Sequence, residues 1–204
     1  CDRVWVSDCI DPHERQQMLR WTAQLLPLEM LGSHIGSERS HTTGRRHDLA
    51  FRAATAVWGH LGIEWDLTAA GDADLAELRD WVAWYKANRG LLLTGELVRI
   101  DLPDPSVLAY GVVTPERGLF AVCSTELQAV ANQGRLVLPG LDADARYRVR
   151  LVRTPQLPPP LWAPWTMAPE GVLLSGRALA TVGVRLPYLP PEQAFILEAD
   201  RVDG

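Results

Sequence analysis

Two aspartates near the start of the chain are placed where a protein could use them for proton transfer. Asp8 and Asp11 follow Val4–Val6, a run of β-branched and aromatic residues that is typical of the end of an interior strand. A carboxyl group held in position can act as a general acid or a general base. This segment is therefore the first place in the chain to look for chemistry.

The residues around Asp11 predict the start of a helix. Asp11 is a favourable N-cap, Pro12 suits the first helical position, and Glu14 stands three residues after the cap, as in a capping box. We expect the helix to run from Asp11 to about Leu26, which leaves Ser7–Ile10 as a tight connection between strand and helix. In a parallel α/β fold such a connection lies at the carboxyl end of the sheet, where ligand sites are built.

The sequence suggests a local structural role for one of the two aspartates and not for the other. Capping alone explains Asp11, whereas no local structural duty is evident for Asp8. Two interpretations of Asp8 stay open on spacing alone: a turn residue whose side chain bonds its own backbone, or a catalytic carboxyl group. His13 and Arg15, in the first turns of the predicted helix, are expected either to be solvated or to line the ligand end of the sheet.

Other titratable side chains are weaker candidates. His34, His41 and His47 suggest a metal site, but their irregular spacing fits no recognised zinc pattern, so we expect no metal and no cofactor. Glu64 and Asp66 alternate with apolar residues on a predicted strand. A half-solvated strand face explains them better than a catalytic pair does.

Alternation of predicted strands and helices continues to about residue 93. It comprises a strand at 28–35, a helix at 48–60, a strand at 63–67 and a helix at 74–89. Short alternating runs separated by proline- and glycine-rich turns follow, the pattern of an antiparallel β-sandwich. We therefore expect an α/β domain over residues 1–93 and an antiparallel β-sandwich domain over residues 94–204.

Two pairs of tryptophans could be either binding surfaces or packing residues. Trp81 and Trp84 share one face of the last predicted helix and are expected in the core. Trp162 and Trp165 lie in the proline-rich segment Pro155–Pro169. That segment could bind a peptide or a sugar, but an ordered loop packed over the sheet is favoured.

Composition and charge narrow the class of protein. The 47% hydrophobic and 22% charged fractions are ordinary for a folded globular chain. A net charge of −5 without a long basic run argues against a nucleic-acid partner. No stretch approaches the ~20 apolar residues of a membrane span. Cys1, Cys9 and Cys123 are odd in number and irregularly spaced, which favours a reducing compartment and a cytoplasmic location.

The segment Trp5–Asp11 resembles the W-x-S-D-x-x-D segment of glycoside hydrolase family 36, the α-galactosidases. Further segments resemble that family in the family's own order: Pro27–Ile35, His41–Arg45, Gly59–Leu67 and Trp84–Lys86. The resemblance covers about residues 1–100 and extends to the rest in outline. It implies that residues 1–93 are the C-terminal part of a (β/α)₈ TIM barrel and residues 94–204 the family's C-terminal β-domain.

The resemblance also implies a chemistry. In the family the aspartate directly after the serine is the general acid/base, so this role carries over to Asp8. The expected reaction is hydrolysis of terminal α-galactosyl residues from oligosaccharides with retention, by double displacement. The family's nucleophile lies in a K-x-D segment on an earlier strand, and Lys86 here is followed by Ala87 and Asn88. We therefore expect the nucleophile to lie outside this chain and the chain alone to be inactive.

Alternatives remain at this point. They are a transglycosylase, an α-N-acetylgalactosaminidase of the same fold, and a non-catalytic sugar-binding or structural module. The expected partner is an α-galactoside oligosaccharide, with no nucleic acid and no membrane, and a homo-oligomeric full-length protein is one option. No substrate-binding residues are indicated.

Overall fold

The first unit of the chain is built on three short parallel strands and three helices. A computed structural model describes residues 2–130, 133–153, 163–168 and 170–202. Its contacts divide the chain into two units, Cys1–Thr94 and Gly95–Gly204. The mixed α/β fold with an antiparallel sheet that the sequence predicts is confirmed.

Parallel pairing orders the elements of the first unit. These are β1 (Val4–Trp5), α1 (Pro12–Thr22), β2 (Leu31–Gly36), α2 (Leu49–Ala56), β3 (His60–Glu64) and α3 (Asp72–Thr94). The sheet order is β1-β2-β3, with Val4 opposite Leu31 and Gly32 opposite His60. The central strand β2 is buried along its whole length. Because the three strands run in the same direction, the loops that follow them meet at one edge of the sheet.

Several predicted boundaries are wrong, for local reasons. The sequence predicts residues Leu28–Met30 as the first part of a strand, but they form a 3-10 helix that precedes β2. Gly59 has a φ of +144°, a backbone conformation that glycine tolerates, and it turns the chain directly into β3 at His60. Asp66 then caps a second 3-10 helix, Leu67–Ala69, so β3 ends at Glu64 instead of residue 67.

Helix α3 is longer than its sequence predicts. The pair Arg89-Gly90 is a local stop signal, yet the helix continues to Thr94. An exposed glycine costs a helix only about 1 kcal/mol relative to alanine. Leu92, two residues on, is fully buried at 0% exposure, and burial of a leucine is worth about 1.5–3 kcal/mol. Packing therefore outweighs the local stop signal.

The tryptophans of α3 lie as a core face would place them. Trp81 is buried and Trp84 is half-buried. Their rings meet edge to face with centroids 6.0 Å apart, a favourable arrangement for aromatic pairs. The expectation of core packing is confirmed for Trp81.

The second unit is dominated by a six-stranded antiparallel sheet. Its strands are β4 (Glu96–Ile100), β5 (Val107–Val113), β6 (Arg117–Ser124), β8 (Arg146–Arg153), β9 (Val172–Ser175) and β11 (Gln193–Val202), in the order β4-β5-β6-β11-β8-β9. A two-stranded sheet pairs β7 (Arg135–Leu136) with β10 (Val184–Arg185). Helix α4 (Gly176–Thr181) is capped by Ser175 and lies between β9 and β10 in the chain.

The buried acid Glu198 of β11 has a structural explanation. Its side chain is 4% exposed, and its carboxylate accepts hydrogen bonds from Arg150, at 3.0 and 3.1 Å, and from Arg117. Both arginines also contact Asp200. A carboxylate neutralised in this way holds three strands together and is not free for chemistry.

Parts of the chain that carried predictions lie outside the described residues. These include Cys1, Trp162 and most of the segment Pro155–Pro169. Trp165 is half-buried and donates its indole N–H to the carbonyl of Arg185 at 2.6 Å, which ties this part of the segment to β10. Among the described residues, none of the helices combines the length and the apolar character that a bilayer crossing needs.

We predict that Gly36→Ala destabilises the first unit by about 1–3 kcal/mol. An added Cβ would lie 2.5 Å from the Cβ of Ile10, so the loop between β1 and α1 would have to move. Gly62→Ala is the matched control, because the nearest atom to its Cβ would be the Ser33 carbonyl oxygen at 3.5 Å. Denaturant unfolding of the two variants measures the difference, and equal free energies of unfolding would contradict the prediction.

Candidate functional site

A cavity of about 530 Å³ lies where the loops after the three parallel strands meet. Its walls come from all three loops and the end of β3: Ile10, Ser37, His41, Glu64, Trp65, Asp66 and Ala69. The carboxyl edge of a parallel sheet is the usual place for a ligand site in α/β proteins. The sequence predicts a site at this edge.

Asp8 lies in the loop after β1, with its side chain exposed to solvent. Its carboxylate has no hydrogen-bond partner within the part of the chain that the structure describes. The turn bond that would explain Asp8 is made by its neighbour, because the Ser7 hydroxyl accepts from the backbone N–H of Cys9 at 3.0 Å. Asp8 is therefore presented at the sheet edge without a structural duty, and its catalytic role stays a prediction.

A buried arginine holds the loop that carries Asp8. Arg15 Nη1 donates to the carbonyl oxygens of Ser7 and Cys9, each at 3.0 Å, and Nη2 donates to the Ser33 hydroxyl of β2 at 2.8 Å. The residue is only 5% exposed. Burial lowers the pKa of Arg15 below its ordinary value. The alternative that Arg15 is solvated is wrong, since its guanidinium fastens the loop to the sheet.

Asp11 does more than cap α1. One carboxylate oxygen accepts from the backbone N–H of His13 at 2.9 Å, while the other accepts from Arg45 Nη1 at 2.9 Å and from the Thr43 hydroxyl. Burial opposes ionisation of Asp11, but the Thr43 hydrogen bond and the Arg45 charge hold its pKa below the ordinary value. Glu14, expected in a capping box, instead contacts Arg45 at 3.3 Å.

The imidazole of His34 is held between an aromatic ring and a carboxylate at the middle of the sheet face. Trp5 stacks on it with ring centroids 4.7 Å apart and an interplanar angle of 9°, and Glu64 Oε2 lies 3.1 Å from its Nε2. Burial lowers the pKa of His34 to about 4; the charge of Arg15 acts in the same direction and that of Asp8 opposes it. His34 is therefore neutral near pH 7.

The remaining predicted candidates have separate places. His41 is exposed at the cavity, whereas His47 is buried against Phe51, with ring centroids 5.4 Å apart. Asp66 accepts from the N–H and hydroxyl of Thr68, hydrogen bonds that lower its pKa and make it a helix cap. Across the described ranges, no group of three or more His, Cys, Asp or Glu side chains is arranged to hold a metal ion.

Cys9, next to Asp8, joins two loops of the site. Its Sγ lies 3.3 Å from the Thr42 hydroxyl, in the segment that Asp11 anchors. The thiol is half-buried, unlike Cys123, which is fully buried and has its pKa raised by that burial. Asp8 is thus flanked by a residue that contacts a second loop through its side chain.

Sequence reasoning does not identify the contacts that hold the loops of the site together. Arg15, Thr43 and Arg45 fix the geometry of the loops, yet each finds partners far away along the chain. The sequence does contain one signal for Arg15. A cation near the N-terminus of a helix is disfavoured by the helix dipole, so its presence there points to a specific partner.

The known proteins to which the chain is similar in sequence are alpha-galactosidases. The Melibiase family model matches residues 1–95. The chain is 36% identical to an alpha-galactosidase of Escherichia coli, over 98% of this chain and 29% of that protein. It is 28% identical to alpha-galactosidase AgaA of Geobacillus stearothermophilus, over 91% of this chain and 23% of that protein.

Solved structures give the same result. The GH36 alpha-galactosidase AgaB from Geobacillus stearothermophilus superimposes with a TM-score of 0.82 and 25% identity, over 98% of this chain and 26% of that chain. A variant of AgaA in complex with stachyose gives a TM-score of 0.80 and 25% identity, over 96% of this chain and 25% of that chain. The chain thus spans between 23% and 29% of the length of these proteins.

We predict that Asp11→Ala costs about 2–4 kcal/mol of unfolding free energy, because it removes a cap and leaves the Arg45 and Thr43 donors without their acceptor. Asp48→Ala is the control. Asp48 is exposed and caps α2 through Phe51 N, so its loss should cost about 1 kcal/mol. Chemical denaturation measures both, and similar costs would contradict the anchoring role of Asp11.

We also predict that acid weakens the fold through His34. Its pKa is 6.5 when the side chain is free in water and about 4 in the folded chain, so between these values the unfolded state binds more protons. The stabilisation is complete above pH 6.5 and is lost as the pH falls toward 4, with a slope of at most about 1.4 kcal/mol per pH unit. His34→Gln should flatten the dependence of the melting temperature on pH in this window. Parallel curves for the two proteins would contradict the prediction.

Proposed function

Because the chain belongs to the melibiase family, glycoside hydrolase family 36, we propose that the protein carrying it hydrolyses terminal α-galactosyl residues from oligosaccharides. The observation that carries this proposal is the placement of Asp8. It is a solvent-facing carboxylate at the carboxyl edge of a parallel sheet, in the segment that the family model matches. A family relationship supplies the class of reaction, and the site supplies the residue for it.

We further propose that residues 1–93 form the C-terminal part of a (β/α)₈ barrel and residues 94–204 an antiparallel β-sandwich domain. The parallel order β1-β2-β3, with a helix after each strand, is the repeating unit of such a barrel. The two antiparallel sheets of the second unit share one apolar cluster, which includes Phe120, Leu136 and Phe195. A shared core between two sheets is the defining feature of a sandwich.

In the proposed reaction Asp8 serves both steps of a double displacement. It protonates the glycosidic oxygen as the bond to the leaving group breaks, while a second carboxylate attacks the anomeric carbon and forms a glycosyl-enzyme intermediate. Asp8, now ionised, then takes a proton from the incoming water as the water oxygen attacks the anomeric carbon; the bond to the second carboxylate breaks and the sugar is released. The chain spans only part of its relatives, so the second carboxylate is assigned to the remainder of the polypeptide.

Several features support the first of these roles. A general acid must reach the substrate, and Asp8 is exposed and makes no competing hydrogen bond with the described residues. The cavity at the same sheet edge is bordered by Trp65, His41 and Ser37, a mixture of an aromatic face and hydrogen-bonding groups that suits a sugar. A variant of AgaA has been solved with stachyose, and we propose oligosaccharides of that kind as substrates here.

We predict that Asp8→Ala in the full-length protein lowers kcat/KM by about 10²–10⁴-fold for α-galactosides with poor leaving groups. The loss should be much smaller for aryl α-galactosides whose leaving group departs without a proton. Azide should restore part of the turnover, because the small anion can attack the intermediate without a general base.

Steady-state kinetics over a series of aryl leaving groups measures this dependence. Asp2→Ala is the control, because Asp2 is an exposed carboxylate six residues upstream and should leave all rates unchanged. If Asp8→Ala lowers the rate equally for every leaving group, the acid/base assignment is wrong.

A further inference from the structure

We propose that Arg15 is a positioning residue for the general acid, holding the carbonyl groups of the residues on either side of Asp8. This inference rests on the proposed function, since it gives Arg15 an effect on catalysis that is exerted through Asp8. Arg15 is not itself part of the cavity lining. Its contacts show how it would act.

The guanidinium brackets the acid. Arg15 Nη1 donates to the carbonyl of Ser7, immediately before Asp8, and to the carbonyl of Cys9, immediately after it. A single nitrogen atom therefore holds the Ser7–Asp8 peptide and the Cys9–Ile10 peptide, and these two peptides bracket the backbone segment that carries the Asp8 side chain. Arg15 Nη2 then ties this unit to Ser33 of β2. The backbone orientation at Asp8 is therefore set by a contact with the buried central strand β2, and not by the loop alone.

The cost of this arrangement argues that it does more than fill space. A guanidinium that is 5% exposed has lost most of its hydration, and its place near the N-terminus of α1 is unfavourable for a cation. An apolar side chain could fill the same volume without these penalties. Only a planar group with several donors can reach two backbone carbonyls and a hydroxyl at once.

Other contacts leave Asp8 dependent on Arg15. The loop is also tied by Ser7 Oγ to the Cys9 N–H and by the Cys9 thiol to Thr42, but these bonds connect loop to loop. Arg15 links the Asp8 loop to β2 through its hydrogen bond with the Ser33 hydroxyl. A displacement of about 1 Å in a reacting group can cost about 10²-fold in rate. Loss of the link should therefore appear in the steps that need a proton from Asp8.

The test uses the full-length protein with Arg15→Gln and Arg15→Lys. For poor leaving groups kcat/KM should fall about 10–100-fold in Arg15→Gln and less in Arg15→Lys, which keeps the charge but not the fork. For leaving groups that need no proton the fall should be several-fold smaller. Arg20→Gln, the same substitution near the other end of α1, is the control and should show no dependence on the leaving group.

A purely structural role predicts a different pattern. If Arg15 only stabilises the fold, its variants should lose the same factor with every leaving group, in proportion to the folded fraction measured by circular dichroism. That result would overturn the inference. Should Arg15→Gln fail to fold, Ser33→Ala replaces it, because it removes the acceptor of Nη2 and leaves the guanidinium in place.

The double variant Asp8→Ala with Arg15→Gln separates this inference from the proposed function. If Arg15 acts through Asp8, the double variant should be no slower than Asp8→Ala alone. If the two losses multiply, the positioning role is wrong although Asp8 can still be the acid. If Asp8→Ala itself shows no dependence on the leaving group, the proposed function fails, and this inference fails with it.

Discussion

Parallel hydrogen bonding of β1, β2 and β3 is the constraint on which the geometry of the site depends. It brings three loops, separated by about thirty residues each, to one edge of the sheet. Glycines at contact points allow this approach, since Gly36 lies against Ile10 without room for a side chain. The loops are then fixed by buried charged groups, Arg15 for the first loop and Asp11 for the second. Hydrogen bonds of these two residues therefore join the loops to the sheet and to α1.

Two aspartates of one short segment illustrate how surroundings divide labour between identical side chains. Asp11 is buried and accepts three hydrogen bonds. Burial alone would raise its pKa, but the Thr43 hydrogen bond and the Arg45 charge lower it further than burial raises it. Asp8, three residues earlier, is exposed and has no such bonds among the described residues. A carboxylate saturated with donors is an anchor, because protonating it would break those hydrogen bonds. Only the unsaturated one has oxygen atoms free of hydrogen bonds to the described residues.

The sequence predicts well those structural features that depend on residues close together in the chain. The strand before Asp8, the cap at Asp11 and the proline at the helix start are local signals, and the structure has all three. The predicted α3 is too short because the burial of Leu92 is a tertiary effect that overrides Gly90. The partners of Arg15 and Asp11 lie 18 and 34 residues away, at Ser33 and Arg45, and no local pattern contains them. The catalytic interpretation of Asp8 comes from family resemblance rather than from spacing.

The loop between β2 and α2 is attached at more than one place: Arg52 Nη1 of α2 donates to the Gly36 carbonyl at its start, at 2.6 Å, and Asp11 holds its later part. Thr43 and Arg45 are held by Asp11, whereas Ser37 and His41 contribute to the cavity wall without sharing in that attachment. Positions 37 and 41 can therefore be substituted without removing a partner of Asp11, whereas Thr43 and Arg45 must be kept. Substitutions at 37 and 41 would change the shape of the cavity wall while the attachment to Asp11 stayed in place, which makes these two positions suitable for a mutant library that alters ligand preference.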